Sequence, residues 1–242
     1  MAKLISVSLM LVVCTMLNAV CFGADSFDIE KLLDIKQCEM CDLRGMHIEN
    51  ADMQKTIINK SNLEKASLDG SDFSFAQLDE CNFTKASARK TIFKAAYIHH
   101  AVLVGANMEY ADFTYANLSK GDLSSANLSD ANFKGANLES TTWKKAILIK
   151  TNYQHANLSG AKFDDANLSK ANFLNANLTG VSFDNAIMKE TNLKGADLTV
   201  DCSRNTSDLC SQLDSVTLPR SISCESLIVK GAIIDSATKC AK

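Results

Sequence analysis

The chain has 242 residues, and 25 Lys and Arg against 28 Asp and Glu leave a formal charge of −3. That near-balance excludes a polybasic nucleic-acid binder and a strongly acidic tail protein. A composition of 46% apolar and 22% charged residues excludes a disordered chain. A single Pro and nine Cys in this length are the two departures from ordinary globular usage.

The first segment reads as an address. Lys3 supplies a short positive start, and Leu4 to Val20 is an apolar run broken only by Ser6, Ser8, Thr15 and Asn18. Cys21 and Gly23 are small residues at the −3 and −1 sites of a cleavage before Ala24. Residues 1–23 are therefore expected to be a signal peptide, and the mature chain to be secreted or periplasmic with no stable membrane span. A retained anchor is the weaker reading, because the run is short for a span and a polar chain follows at once. A lipid anchor at Cys21 is weaker too, since Asn18 and Val20 suit a lipobox poorly.

Residues 24–37 carry Phe27, Ile29, Leu32, Leu33 and Ile35 behind Asp25, Ser26 and Asp28. This pattern predicts a short amphipathic helix with N-cap candidates, placed over whatever follows. From Cys38 a large apolar residue recurs every fifth position to Leu198. Of these 33 positions, 31 hold Leu, Phe, Ile, Met, Trp or Tyr, and only Cys38 and Ala88 do not. Two residues before each lies a column of small residues, from Cys41 to Ala196, broken only by Met46 and Val181. A period of five fits neither a helix nor a flat strand, so the chain must turn once per five residues with both columns inward. Asn or Asp usually precedes the large residue, as at Asn117, Asn127, Asn137, Asn157, Asn167 and Asn177, where such side chains stabilise turns. Pro, which would remove a ladder donor, is absent from this region.

Units such as Ala126-Asn127-Leu128-Ser129-Asp130 and Ala166-Asn167-Leu168-Ser169-Lys170 resemble the A(D/N)LXX motif of pentapeptide repeat proteins. The resemblance implies an all-β fold: a right-handed quadrilateral β-helix, four pentapeptides per coil, about eight coils over residues 38–200. The aromatic residues fit four sides. Phe73, Phe93, Phe113, Phe133, Tyr153 and Phe173 fall on one face at steps of twenty, and Phe83, Trp143, Phe163 and Phe183 on the opposite face at steps of twenty or sixty. Stacked rings along a core would look so, although a period of ten would look the same.

Residues 201–242 read as a C-terminal cap. Ser207 to Asp214 is a possible short helix ended before Pro219, and Leu227–Gly231 and Ala232–Ser236 look like two degenerate units out of phase. Cys81 replaces Ala in the small column and reads as a buried inert thiol. The other mature cysteines are Cys38, Cys41, Cys202, Cys210, Cys224 and Cys240. Tower ends about 40 Å apart, at ~4.8 Å per coil, cannot share a disulfide. Cys38 then pairs with Cys41 or stays reduced, and the four tail cysteines pair among themselves, local order suggesting Cys202–Cys210 and Cys224–Cys240. The CxxC spacing of Cys38 and Cys41 lacks the thioredoxin-like context that redox function needs, and the tail spacings fit no usual zinc finger.

The sequence contains no nucleophile elbow, HExxH, P-loop or dinucleotide fingerprint. No enzyme activity and no cofactor are expected. A step of twenty puts Asp79 beneath His99 and Glu80 beneath His100, a weak metal candidate whose simpler reading is a solvated ladder of opposite charge. The family resemblance also offers DNA mimicry at a topoisomerase. That mechanism needs an extended acidic face, and Lys55, Lys60, Lys65, Lys85, Lys90, Lys94, Lys144, Lys145 and Lys150 interrupt it here. The remaining expectation is an exported interaction scaffold for a protein partner or a second copy, not for nucleic acid. Its surface candidate is the aromatic corner of Phe75, Ala95 and Tyr115, with Tyr97 around the edge and His99 and His100 beyond.

Overall fold

A five-residue unit leaves five backbone N–H groups to satisfy, and the unit Ala126–Asp130 shows how this chain does it. The Ala126 N–H donates to the Leu123 carbonyl across the preceding corner (3.2 Å). Asn127 N–H donates to Ala106 O on the coil before (2.9 Å), and Leu128 and Asp130 N–H donate to Ile147 O and Ile149 O on the coil after (2.8 and 2.9 Å). The fifth, Ser129 N–H, donates to the Oδ1 of Asn127 (3.2 Å). The Asn or Asp before the large residue therefore supplies the acceptor that the ladder lacks, which is the physical reason for that column.

Repeating this unit generates the whole architecture. The computed structural model describes residues 25–198 and 239–240. Isolated parallel bridges join each residue before the large position to the residue twenty further on, from Gln37↔Ile57 to Asn177↔Asp197. Four pentapeptides thus complete one coil of a β-helix, and the period-ten alternative is set aside. Every fifth residue from Met40 to Gly195 forms a corner with positive φ. Only seven of these corners are Gly: 45, 70, 105, 135, 160, 180 and 195. The rest are Lys, Asn, Ser and others in the left-handed region, at a local cost of about 1–2 kcal/mol each, offset by the interlocked ladder.

The core is the two inward columns. On one face Phe73, Phe93, Phe113, Phe133, Tyr153 and Phe173 stack, with Phe113–Phe133 centroids 4.7 Å apart at 2° and Phe133–Tyr153 5.3 Å apart at 7°. Trp143, Phe163 and Phe183 stack on the opposite face. The two stacks meet edge to face across the core, as in Phe133–Trp143 at 5.4 Å and 89°. Among the described residues every buried side-chain polar atom but the Tyr153 hydroxyl has a hydrogen-bond partner. Thr91 Oγ1 donates to Leu68 O (2.9 Å), Cys81 Sγ to Ile58 O (2.9 Å), and Trp143 Nε1 to Thr141 Oγ1 (2.7 Å).

At the N-terminal end, α1 (Ser26–Ile35) lies over the first coil. Asp25 caps it through Phe27 N–H (2.8 Å), and Lys36 ends it with a left-handed φ of 54°. Ile29 and Leu32 are buried against the tower, a contribution of about 1.5–3 kcal/mol apiece. Two hydrogen bonds fix the helix to the coil: Asp25 N–H to Asp42 O (2.9 Å) and Asp42 N–H to Asp28 Oδ2 (2.8 Å). At the other end, β1 (Asp197–Leu198) pairs in parallel with β2 (Lys239–Cys240), Asp197 opposite Lys239. The closing strand comes from the last residues of the chain, a pairing outside the twenty-residue step and not foreseen from the pattern. The expected signal peptide, the helix over 207–214, the degenerate units over 227–236 and the cysteine pairings of the tail lie outside the described residues. Among the described residues no helix is long and apolar enough to cross a membrane.

Candidate functional site

The corners at Phe75, Ala95 and Tyr115 belong to three successive coils, with φ of 61°, 52° and 59°. The bridges Gln77↔Tyr97 and Tyr97↔Asn117 set Tyr97 on the adjoining face at the level of Ala95. Phe75, Tyr97 and Tyr115 are 56%, 55% and 67% exposed, and Ala95 is half-buried between them. A Cβ added at Gly135, the next corner along, would lie 2.5 and 2.6 Å from Cε1 and Cδ1 of Tyr115. The ring therefore lies along the tower over the bare backbone of Gly135. The same relation joins Asn50 to Gly70 and Asn175 to Gly195.

His99 and His100 close the same pentapeptide as Tyr97, with their rings 4.0 Å apart, edge to face. Asp79 and Glu80 do lie one coil below them, but the four side chains do not converge. The Asp79 carboxylate accepts the backbone N–H of His99 (2.9 Å), and Glu80 faces Lys60 at 3.7 Å. Each acid is thus engaged by a backbone N–H or by a lysine. Among the described residues, the ligand atoms that do gather are those of Asp28, Cys38 and Cys41, within 4.8 Å of one another. Cys38 and Cys41 form a disulfide with Cα atoms 5.7 Å apart. Cys81 is buried and free, and burial pushes its thiol up to about 12.

Elsewhere Tyr110, Val102, Ile147 and Ile187 are also exposed, and much of the polar surface is internally paired. Asn117, Asn137, Asn157 and Asn177 form a ladder along one face, in which the Nδ2 of Asn137, Asn157 and Asn177 donates to the Oδ1 one coil earlier (3.1, 3.2 and 3.0 Å). Lys60–Glu80, Arg89–Glu109 and Lys170–Glu190 pair opposite charges between coils.

The pentapeptide-repeats profile matches in eight copies, over residues 47–84, 91–130, 126–165 and 161–199. The chain belongs to the pentapeptide repeat family. No curated protein matches it. Among solved structures, full-length QnrB1, a plasmid-mediated fluoroquinolone resistance protein, superposes with a TM-score of 0.55 at 16% identity, covering 83% of this chain and 94% of that one. A pentapeptide repeat protein from the Arabidopsis thaliana thylakoid lumen is 37% identical over 42% of this chain and 73% of its own, with a TM-score of 0.39. HetL, involved in heterocyst differentiation regulation in the cyanobacterium Nostoc sp. strain PCC 7120, is 22% identical over 72% of this chain and 95% of its own, with a TM-score of 0.27. The likeness to QnrB1 is one of fold, and with the family match it implies the right-handed β-helix.

Within this pentapeptide repeat protein, Gly135 is the residue of the candidate site that the pattern left unnoticed. A step of twenty from Tyr115 reaches it directly, so the signal was present. Asp28 was read only as a helix-capping residue. Its meeting with Cys38 and Cys41 depends on the docking angle of α1, which no periodicity encodes.

Proposed function

We propose that this pentapeptide repeat protein is an exported, non-enzymatic interaction scaffold. Its contact surface is the corner of Phe75, Ala95, Tyr97, His99, His100 and Tyr115, and its partner is another protein or a second copy of the chain. The observation that carries this reading is the Tyr115 ring, two-thirds exposed and lying along the tower over the bare backbone of Gly135. A pre-ordered aromatic loses little freedom on binding, and clustered exposed rings are what interface centres are made of. Export rests on the leader of residues 1–23 and on the Cys38–Cys41 disulfide, a bond that persists in oxidising compartments. The rival reading, a DNA mimic at a topoisomerase, needs a continuous acidic face. The cross-coil pairs of Lys60, Arg89 and Lys170 with carboxylates break that face.

The test is the double variant Tyr97→Ser with Tyr115→Ser. Both side chains point outward, so the melting curve should match the parent. Association, read by sedimentation and by capture from the exported fraction, should weaken by ~2 kcal/mol or more. Gly135→Ala offers a second handle, because it displaces the Tyr115 ring without removing it. Unchanged capture and sedimentation in the double variant would place the interface elsewhere.

A further inference from the structure

We infer that the N-terminal cap carries a redox-gated metal site in which Asp28, Cys38 and Cys41 bind a zinc-class divalent ion once their disulfide is reduced. Three elements bring the ligands together. Asp28 comes from α1, Cys38 begins the large inward column, and Cys41 begins the small one across the first corner. Both cysteines are buried beneath the helix. Their sulfurs and the Asp28 carboxylate lie within 4.8 Å of one another. A tetrahedral zinc site with ordinary bond lengths has ligand-to-ligand edges of roughly 3.5–3.8 Å, so the two sulfurs, bonded in the disulfide, must part to that distance by side-chain rotation.

The backbone at this corner does not depend on the disulfide. Ser61 Oγ accepts Cys41 N–H (3.0 Å) and donates to Cys38 O (2.8 Å). Cys38 N–H reaches Ile57 O (2.7 Å) and Met40 N–H reaches Asn59 O (2.9 Å). Opening the S–S bond therefore frees two sulfurs while the corner stays in place. The carboxylate is oriented as well, because Asp28 Oδ2 accepts Asp42 N–H (2.8 Å). A ligand held by a backbone donor is the kind of outer support that metal sites use.

The donor set decides the ion. Two thiolates and one carboxylate oxygen suit borderline ions such as Zn²⁺ or Co²⁺, with water as fourth ligand, and not the hard ions that demand oxygen alone. The chemistry balances as thiol–disulfide exchange. A dithiol donor gives two electrons and two protons, becoming a disulfide itself, and the Cys38–Cys41 bond becomes two thiols. Metal binding then releases the two thiol protons. The cap is tied by a covalent bond under oxidising conditions and gains a metal clasp under reducing ones.

The experiment is cobalt titration of the purified protein after phosphine reduction and removal of the reductant. The tail cysteines Cys202, Cys210, Cys224 and Cys240 contribute equally to every variant, so the cap is read by difference. Cys41→Ala suits the fold, since Ala fills most of that column. Asp28→Asn keeps an oxygen for Asp42 N–H while removing the charge. The expected result is one more cobalt per chain in the parent than in Cys41→Ala, with sulfur-to-cobalt charge-transfer absorption. Asp28→Asn should bind at that site about tenfold or more weakly. Equal stoichiometry and spectra in parent and Cys41→Ala would overturn the site, and so would unchanged affinity in Asp28→Asn.

Discussion

Replacing Tyr153 by Phe should stabilise this protein. Tyr153 is fully buried, and its hydroxyl is the one buried side-chain polar atom among the described residues with no hydrogen-bond partner. Burial alone pushes its phenol well above 10. The ring is well placed: it stacks on Phe133 at 5.3 Å and Phe173 at 4.7 Å, and meets Trp143 and Phe163 edge to face at 5.8 and 6.0 Å. Every other member of its stack, Phe73, Phe93, Phe113, Phe133 and Phe173, is Phe. The substitution removes one oxygen and leaves each ring contact in place. An unsatisfied buried hydroxyl costs about 1–3 kcal/mol, and no compensating bond is lost, so a gain of that size is expected. For a chain of this length that corresponds to a rise in Tm of roughly 2–10 °C. Guanidinium unfolding of parent and variant, with equal slopes, measures it directly. A variant that is equally stable or less stable would mean that the hydroxyl has a partner in solution, and the reasoning from burial would fail.

Phe133→Ala should cost ~3–5 kcal/mol, as large core truncations do, and Phe133→Asp should abolish folding by burying an unpaired charge. A loss under about 1 kcal/mol for the Ala variant would refute the stacked register. Cys81 gives a pH dependence with a definite sign. Its folded-state value lies above the ordinary 9.0, at about 12, so the folded protein holds the proton more tightly. Stability is then full below about pH 9 and falls as pH rises towards about 12. Cys81→Ala should be nearly neutral at pH 7, because Ile58 O still accepts Ser61 N–H at 3.2 Å, and should remove the part of the alkaline loss that starts near 9. An identical alkaline limb in the variant would show that the thiol is not its source.

The tower was legible in the sequence because its rule is local. A large residue at every fifth position, such as Leu118 or Phe163, can be buried only if the chain turns at that interval, and Ala at the small position leaves room beside it. The sorting of Phe133 and Trp143 onto opposite faces followed once the resemblance supplied four units per coil. The corner geometry was not legible. Lys55, Lys60 and Lys65 take positive φ, a conformation that nothing in a lysine announces; it is imposed by the coils above and below. The role of Asn127 was half visible: a turn-stabilising residue was expected, and the structure shows it to be the acceptor for the one N–H that the ladder leaves out. The pairing of Asp197 with Lys239 spans no repeat, so no column pointed to it. At the candidate site the rings of Phe75, Tyr97 and Tyr115 were found by stepping twenty residues. The step of twenty that brought Asp79, Glu80, His99 and His100 to notice as a weak metal candidate also places each acid beside another donor, His99 N–H or Lys60. The gathering of Asp28, Cys38 and Cys41 needed the docked helix to be seen.

The claim of an exported scaffold is tested most directly by the intact mass and N-terminal sequence of the protein recovered from its native cells, read without prior reduction. The expected result is a chain that begins at or near Ala24, found in the exported fraction, with Cys38 and Cys41 protected from thiol labelling until a reductant is added. A soluble cytosolic chain that retains Met1, with both cysteines open to labelling, would contradict it.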